Sequence, residues 1–251
     1  YYIDKICEVW LMGKKEQKQF QLDNKENCRI YLLRIITTAE KCLMKLKKYN
    51  LQTKDVLDRY GNMHSDTVPY DIYSELVDKT SNVASYLLNV LGDAQGVSIS
   101  YFKYRQQAKR LIDKQIDGIS LSDFTDELTE LIGDFNKMRN WQNHIPESLL
   151  ISEEELVKQG VAYEQPRNPI EIYLCNNVTY ECFKDLYDSN VGFYEAARKL
   201  VQAAKRDYGC LIGERVTVER KYLDKPVGVA QSTAAKMSAK IQGIKGHTGT
   251  N

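Results

Sequence analysis

Apolar residues recur every three or four positions along several long segments, and this spacing constrains the fold more than any other feature of the chain. An α-helix has about 3.6 residues per turn, so the spacing places these side chains on one helix face, whereas a half-buried strand needs strict alternation. No sustained alternation is found in the sequence. The pattern predicts five main helices: 26–49, 71–91, 100–117, one that begins after Ser122, and 178–208.

The order and spacing of these helices predict an all-α fold. Short connections between successive helices favour an antiparallel helical bundle, expected here over residues 1–146. Residues 147–251 are predicted to form a helical extension packed on that bundle, with a flexible tail from about residue 243. Three smaller elements are also predicted: a loop over 61–71, a short helix within 151–160 and a short strand within 215–223.

Composition and charge exclude some classes of function. The chain has 251 residues, of which 43% are hydrophobic and 27% charged, as in a soluble globular protein. A net charge of +1 argues against a polybasic protein that coats nucleic acid, although a local basic groove remains possible. The longest uncharged run, 80–92, is 13 residues and too short to span a membrane. We therefore expect a cytoplasmic protein without a membrane partner.

The cysteines and histidines do not form a metal-binding pattern. Six cysteines are present with no CxxC pair, and the chain has only three histidines. Cys28 and Cys42 fall on an apolar helix stripe, where cysteine behaves as a small apolar residue. We interpret them as free thiols in a reducing compartment, and we expect neither a metal nor another cofactor.

A short polar motif, "RNWQNH", ends the fourth predicted helix, whose expected buried stripe is Phe124, Leu128, Leu131, Phe135 and Met138. In the motif, His144 follows Arg139 by five positions, with Asn140 directly after the arginine. The same arginine–histidine spacing occurs in "RYGNMH", but that segment lies in a predicted loop and lacks the asparagine. The asparagine and the core helix before it therefore distinguish "RNWQNH".

This motif resembles the Arg-Asn-x-x-x-His signature of the HEPN ribonucleases, which are all-helical domains. The resemblance covers six residues and their helical setting. It implies a metal-independent endoribonuclease with Arg139, Asn140 and His144 as catalytic residues, acting in antiphage defence or as a toxin-like effector. It also implies a homodimer with a composite active site, RNA as substrate, and an antitoxin or regulatory protein as a further partner.

Two details of the family pattern bear on this chain. The toxin-type variant carries a tyrosine two residues after the histidine, but this chain has Pro146 there, so regulation through such a tyrosine is not expected. The family often has an acidic or polar residue on an earlier helix near the site. Glu75 and Asp78 are the candidates here.

The chemistry of RNA cleavage suits these residue types. RNA carries its own nucleophile in the 2′-hydroxyl, so a base that removes that proton and an acid that protonates the leaving 5′-oxygen are sufficient. Histidine serves either role near neutral pH. Arginine stabilises charge on the phosphoryl oxygens. On a continuing helix Asn140 and His144 are four residues apart and share a face.

Other interpretations of the motif remain open. A helix end rich in polar residues is normally solvated, and Trp141 and Ile145 would then pack as a cap on the core. The chain would in that case be a non-catalytic helical module that binds RNA or protein, or a subunit of a larger assembly that docks through residues after 146.

A second candidate surface is the basic third helix, "YFKYRQQAKRLIDK". Its cations could bind RNA phosphates while its aromatic residues stack on bases; the cationic candidates are Lys103, Arg105, Lys109 and Arg110. The simpler interpretation, which we favour, is an amphipathic helix whose tyrosines and phenylalanine belong to the core.

Overall fold

The computed structural model describes residues 20–95, 98–143, 147–160 and 174–222. The helices of this described part are α1 (Lys25–Asn62), α2 (Tyr70–Gly92), α3 (Tyr101–Asp113), α4 (Asp126–Asn143), α5 (Glu147–Lys158) and α6 (Tyr180–Ile212). Two short strands, β1 (Thr67–Pro69) and β2 (Asn177–Thr179), complete the list. The described residues are mostly helical, which confirms the predicted all-α fold.

Helix α1 is much longer than its apolar pattern predicted. It begins after Asn24, whose side chain caps the first turn by accepting from the Asn27 backbone N–H at 2.9 Å. It was expected to end at Tyr49, but it continues to Asn62 and takes up the start of the predicted loop. The buried face continues through Asn50 and Thr53, and because these side chains are polar the hydrophobic period missed them.

The two strands form a small antiparallel pair at one end of the bundle. Val68 lies opposite Val178 in the register, and a separate apolar cluster of Leu57, Val68, Leu76 and Phe183 packs beside the pair. The strand predicted within 215–223 is wrong for the residues described, since 215–222 form neither helix nor strand. Brief alternation does not make a strand without a partner edge.

Four helices, α1, α2, α4 and α6, surround the main core. Helices α1 and α6 are antiparallel to each other. The Asn50 side chain donates to the Asn190 carbonyl at 3.3 Å, while Glu40, earlier in α1, pairs with Lys205, later in α6. Phe135 of α4 stacks on Phe193 of α6 at a centroid distance of 5.2 Å. Helix α3 adds its buried tyrosines to the same core.

The chain divides into two compact units, Tyr1–Val216 and Thr217–Asn251. Helix α6, which was expected in an extension after residue 146, belongs to the first unit and contributes Leu200 and Ala204 to the main core. Of the second unit, only 217–222 are described, and they are irregular. The predicted tail from about residue 243 lies outside the described residues. No helix among the described residues combines the length and apolar character that crossing a bilayer requires.

Candidate functional site around Arg139

Arg139 lies on the buried side of α4. The buried positions of this helix are Leu128, Ile132, Phe135 and Arg139, at steps of four, three and four residues. The predicted stripe was therefore wrong at its end, since Met138 is exposed and Arg139 occupies the next inward position. Helix α4 therefore packs Phe135 in the core and places the Arg139 side chain at the C-terminal end of α2.

Gly92 allows α4 to approach α2 closely at this point. A Cβ at Gly92 would lie 2.6 Å from the Phe135 carbonyl carbon and 2.8 Å from the Asn136 nitrogen, both backbone atoms that cannot rotate away. The Asn136 side chain donates to the Gly92 carbonyl at 2.6 Å and closes the last turn of α2. The absence of a side chain at Gly92 therefore sets the distance between α2 and α4.

The guanidinium of Arg139 is bound by three side chains. Its Nε donates to Asn89 Oδ1 at 3.2 Å, its Nη1 to Asn140 Oδ1 at 3.1 Å and its Nη2 to Asp93 Oδ2 at 3.3 Å. Only 8% of the residue is exposed. A guanidinium has five N–H donors, and three of them bond to described residues.

Asp93 is itself fixed in place. Its Oδ1 accepts from the Gln95 backbone N–H at 2.9 Å, and its carbonyl accepts from the Ser100 hydroxyl. The Ser100 N–H in turn donates to the Tyr31 hydroxyl at 3.1 Å, and burial raises the pKa of that tyrosine. A carboxylate fixed in this way holds the guanidinium in one orientation.

The acidic and polar partners on the earlier helix are not the ones predicted. Glu75 is exposed and pairs with Lys79, and Asp78 is also exposed. Asn89 of α2 and Asp93, which follows its last residue, are the side chains that bond to Arg139. A sequence signal was available, because these two polar residues stand four apart at the end of an otherwise apolar run.

Of the three predicted catalytic residues, the structure describes two. Arg139 and Asn140 are in contact, and Asn140 is exposed at the surface. His144 lies outside the described residues, as does Ile145. Trp141 is 59% exposed, which contradicts the part of the alternative interpretation in which its side chain packs as a cap on the core.

Arg105 of the basic third helix is not a surface cation. It pairs with the fully buried Asp207 at 2.8 Å and lies 3.8 Å above the ring of Phe124. Its prediction as an RNA contact is therefore wrong, because the guanidinium is committed to the core. Tyr101 and Tyr104 are buried, as we favoured from the sequence.

The other cations of this helix differ from Arg105. Lys109 and Arg110 are exposed, while Lys103 is half-buried and donates to the Ser98 carbonyl at 3.4 Å. Arg105 is paired with Asp207 in the core, and the tyrosine rings of α3 are buried. Helix α3 therefore presents no aromatic surface beside its remaining cations on which a base could stack.

Cys28 and Cys42 are free and buried, as predicted from their place on the α1 stripe. Burial raises the pKa of both thiols. Among the described residues, no three His, Cys, Asp or Glu side chains come together in a group that could hold a metal ion. In comparisons with known proteins, the chain matches no family model, no curated protein and no solved structure.

Proposed function

We propose that the chain is a metal-independent endoribonuclease of the HEPN type, with Arg139, Asn140 and His144 as its catalytic residues. The observation that carries the proposal is the set of hydrogen bonds that hold Arg139 in place. Asn89 and Asp93 orient its guanidinium beside the exposed Asn140, at the end of the helix that leads to His144.

In the proposed reaction, a base removes the proton of the RNA 2′-hydroxyl and the 2′-oxygen attacks the adjacent phosphorus. The bond to the 5′-oxygen breaks, an acid protonates that oxygen, and the products are a 2′,3′-cyclic phosphate and a 5′-hydroxyl. His144 supplies a group that transfers protons near neutral pH. The donors of Arg139 that do not bond to described residues bind the phosphoryl oxygens as negative charge builds up.

The two proton transfers require two groups, and the motif has one histidine. A homodimer that brings two copies of Arg139, Asn140 and His144 together would supply both. Support comes from Met138, directly before the motif, and Trp141, within it, which are exposed on α4 and offer apolar surface for a second copy. An enzyme of this class would act in the cytoplasm as a defence or toxin-like effector, restrained by an antitoxin or regulatory partner.

A non-catalytic helical module that binds RNA or protein is the second candidate. One observation favours it: Arg139 is nearly buried and its charge is already paired with Asp93. A buried arginine–aspartate pair can serve to fix two helices without touching a ligand.

The test is cleavage of unstructured RNA by the purified chain, with chelator present, followed by identification of the new ends. We expect cyclic phosphate and 5′-hydroxyl ends, and a loss of at least about 100-fold in rate for His144→Ala. The matched control is Arg59→Ala with His64→Asn in "RYGNMH"; asparagine is chosen because His64 has φ of 49°.

The control pair should cut RNA at the unaltered rate. Equal rates for the His144→Ala variant and the unaltered chain would refute the catalytic assignment. Absence of cleavage by the unaltered chain, with retained RNA or protein binding, would favour the second candidate.

A further inference from the structure

A cleft of about 430 Å³ between α1 and α2 is lined by three cationic side chains. Arg34, Lys41 and Lys45 line it from α1, at steps of seven and four residues that place them on one helix face. All three are exposed, and none forms an ion pair with a described residue. None of the residues lining the cleft is acidic.

The other wall of the cleft carries an aromatic ring. Tyr86 of α2 is 54% exposed, whereas Tyr101 and Tyr104 of α3 are fully buried. Asn82 lies one turn before it on the same wall. Cations opposite an exposed ring are the combination with which proteins bind single-stranded nucleic acid, because the cations track phosphates and the ring stacks on an unpaired base.

The cleft lies beside the Arg139 site. Asn82, Tyr86, Asn89 and Asp93 follow at steps of four, three and four residues, so they share one face of the α2 segment. The first two line the cleft, and the last two bind the guanidinium of Arg139. Tyr86 and Asn89 are separated by about 5 Å along the helix axis.

We propose that this cleft, which we call the α1–α2 cleft, binds the backbone of single-stranded RNA and stacks one base on Tyr86, leading the strand to Arg139. The proposal rests on the proposed function for the identity of the polymer. A duplex is disfavoured, because its bases are already stacked and paired and cannot use the tyrosine ring.

A second cleft, at the end of α6, suits this role less well. It is larger, about 690 Å³, but its lining includes Glu214 beside Arg206 and Arg215. Its Lys205 is already paired with Glu40 of α1. Mixed charge in one cleft weakens attraction for a polyanion.

The test measures binding of a fluorescent oligouridine of about 12 nucleotides with 2′-O-methyl sugars, which cannot be cut through the 2′-hydroxyl. The cleft variant is Arg34→Gln/Lys41→Gln/Lys45→Gln. The matched control is Lys47→Gln/Lys54→Gln/Lys184→Gln, which removes three exposed cations outside the cleft. Circular dichroism verifies that both variants fold.

We expect the cleft variant to lose more than about tenfold in affinity, and its plot of log affinity against log salt to flatten by about two units. That change in slope follows from three lost phosphate contacts at about 0.7 each. The control should keep the original slope. Equal losses in both triple variants, or no loss in the cleft variant, would overturn the proposal.

Tyr86 provides an independent arm. Tyr86→Ala should weaken binding about tenfold, while Tyr86→Phe should keep most of the affinity because the ring remains. Two results would assign the cleft to another partner and overturn the proposal: a polyglutamate peptide that binds with the same dependence on the three cations, or an RNA duplex that binds as tightly as the single strand.

Cleavage of unmodified RNA is measured separately, so the two proposals can fail separately. A chain that cuts RNA normally after the three cleft substitutions would refute the cleft and leave the ribonuclease standing. A chain that binds RNA through the cleft but never cuts it would refute the ribonuclease and leave the cleft proposal standing.

Discussion

Two arginine–aspartate pairs tie helices together in this bundle, and they differ in what surrounds the carboxylate. Asp207 is fully buried and accepts from Arg105, from the Tyr101 hydroxyl at 2.7 Å, and from both the N–H and hydroxyl of Ser122. Asp93 accepts through its carboxylate from Arg139 and one backbone N–H. The Asp207 carboxylate therefore accepts from four donor groups inside the core, whereas the Arg139 guanidinium contacts an asparagine that is exposed at the surface.

The difference teaches how to separate a structural pair from a candidate site. Both arginines are mostly buried and both bond to aspartate, so burial and pairing do not distinguish them. What distinguishes them is the neighbouring polar surface. Arg105 is covered by the Phe124 ring, whereas Arg139 touches Asn140 at the surface. The α1–α2 cleft lies along α2, the helix that supplies Asn89 to Arg139.

The largest expected effect is at the Arg105–Asp207 pair. Asp207→Ala should lower the free energy of unfolding by about 3–5 kcal/mol, because it leaves Arg105 and the Tyr101 hydroxyl without their acceptor in the core. Urea denaturation measures the change. Asp123→Ala is the control, since Asp123 is exposed, and it should change stability by less than about 0.5 kcal/mol. A loss below about 1 kcal/mol for Asp207→Ala would contradict the structural role of the Arg105–Asp207 pair.

A smaller loss of stability is expected at the second pair. Asp93→Ala should cost about 1.5–3 kcal/mol, the range for a hydrogen bond to a charged group, and Asp93→Asn should restore part of it. Glu75→Ala serves as the comparison, because its exposed pair with Lys79 contributes at most about 1 kcal/mol. Thermal and urea unfolding give the ranking. Equal losses for Glu75→Ala and Asp93→Ala would contradict it.

The close approach of α2 and α4 makes a third prediction. Gly92→Ala should destabilise by about 1–3 kcal/mol and slow RNA cleavage, because the new Cβ pushes α4 and Arg139 away. Gly133→Ala is the matched control within α4. Nothing lies within 4 Å of a Cβ there, so it should be neutral or stabilise by up to about 1 kcal/mol. A neutral Gly92→Ala would show that the spacing is set elsewhere.

The smallest expected effect is a loss of folding stability at alkaline pH, caused by buried tyrosines near Asp207. Burial first, and the Asp207 carboxylate second, raise the pKa of Tyr101 and Tyr104 far above the usual value of about 10. In the unfolded chain these tyrosines lose protons above about pH 10, so stability is complete below that pH and falls as pH rises further.

Each such tyrosine contributes a slope of about 1.4 kcal/mol per pH unit above about pH 10. Tyr104→Phe should reduce the alkaline loss by one such slope. It should cost little at neutral pH, since the buried Tyr104 hydroxyl has no hydrogen-bond partner among the described residues. Unfolding free energies at about pH 9, 10 and 11 measure this. An unchanged alkaline slope would argue against the buried, protonated state.

The fold was predictable where burial coincides with apolar residues. Helix α2 was expected over 71–91 and runs from Tyr70 to Gly92, because its buried positions are nearly all apolar. Helix α1 was cut short because its buried face continues through Asn50 and Thr53. The pairing of β1 with β2 joins three-residue segments far apart in the chain, which no local pattern reveals.

The motif "RNWQNH" pointed to Arg139 and Asn140 as candidate site residues, and their catalytic role stays a prediction. The side chains that hold Arg139 in place were not predicted. Asp93 was missed because its role depends on the contact between Gly92 and Phe135, and a contact between two helices is tertiary information. Arg105 was misassigned for the same reason, since nothing near it in sequence indicates that Asp207 is its partner.

The most direct test of the central claim compares conservative substitutions of the two arginines. RNA cleavage is measured for Arg139→Lys and Arg105→Lys at a temperature where circular dichroism shows both to be folded. Lysine keeps the charge but not the planar set of donors. We predict a loss of about 100-fold or more for Arg139→Lys and a rate within about twofold of the unaltered chain for Arg105→Lys. Equal rates for the two folded variants would contradict the assignment of Arg139 to the catalytic site.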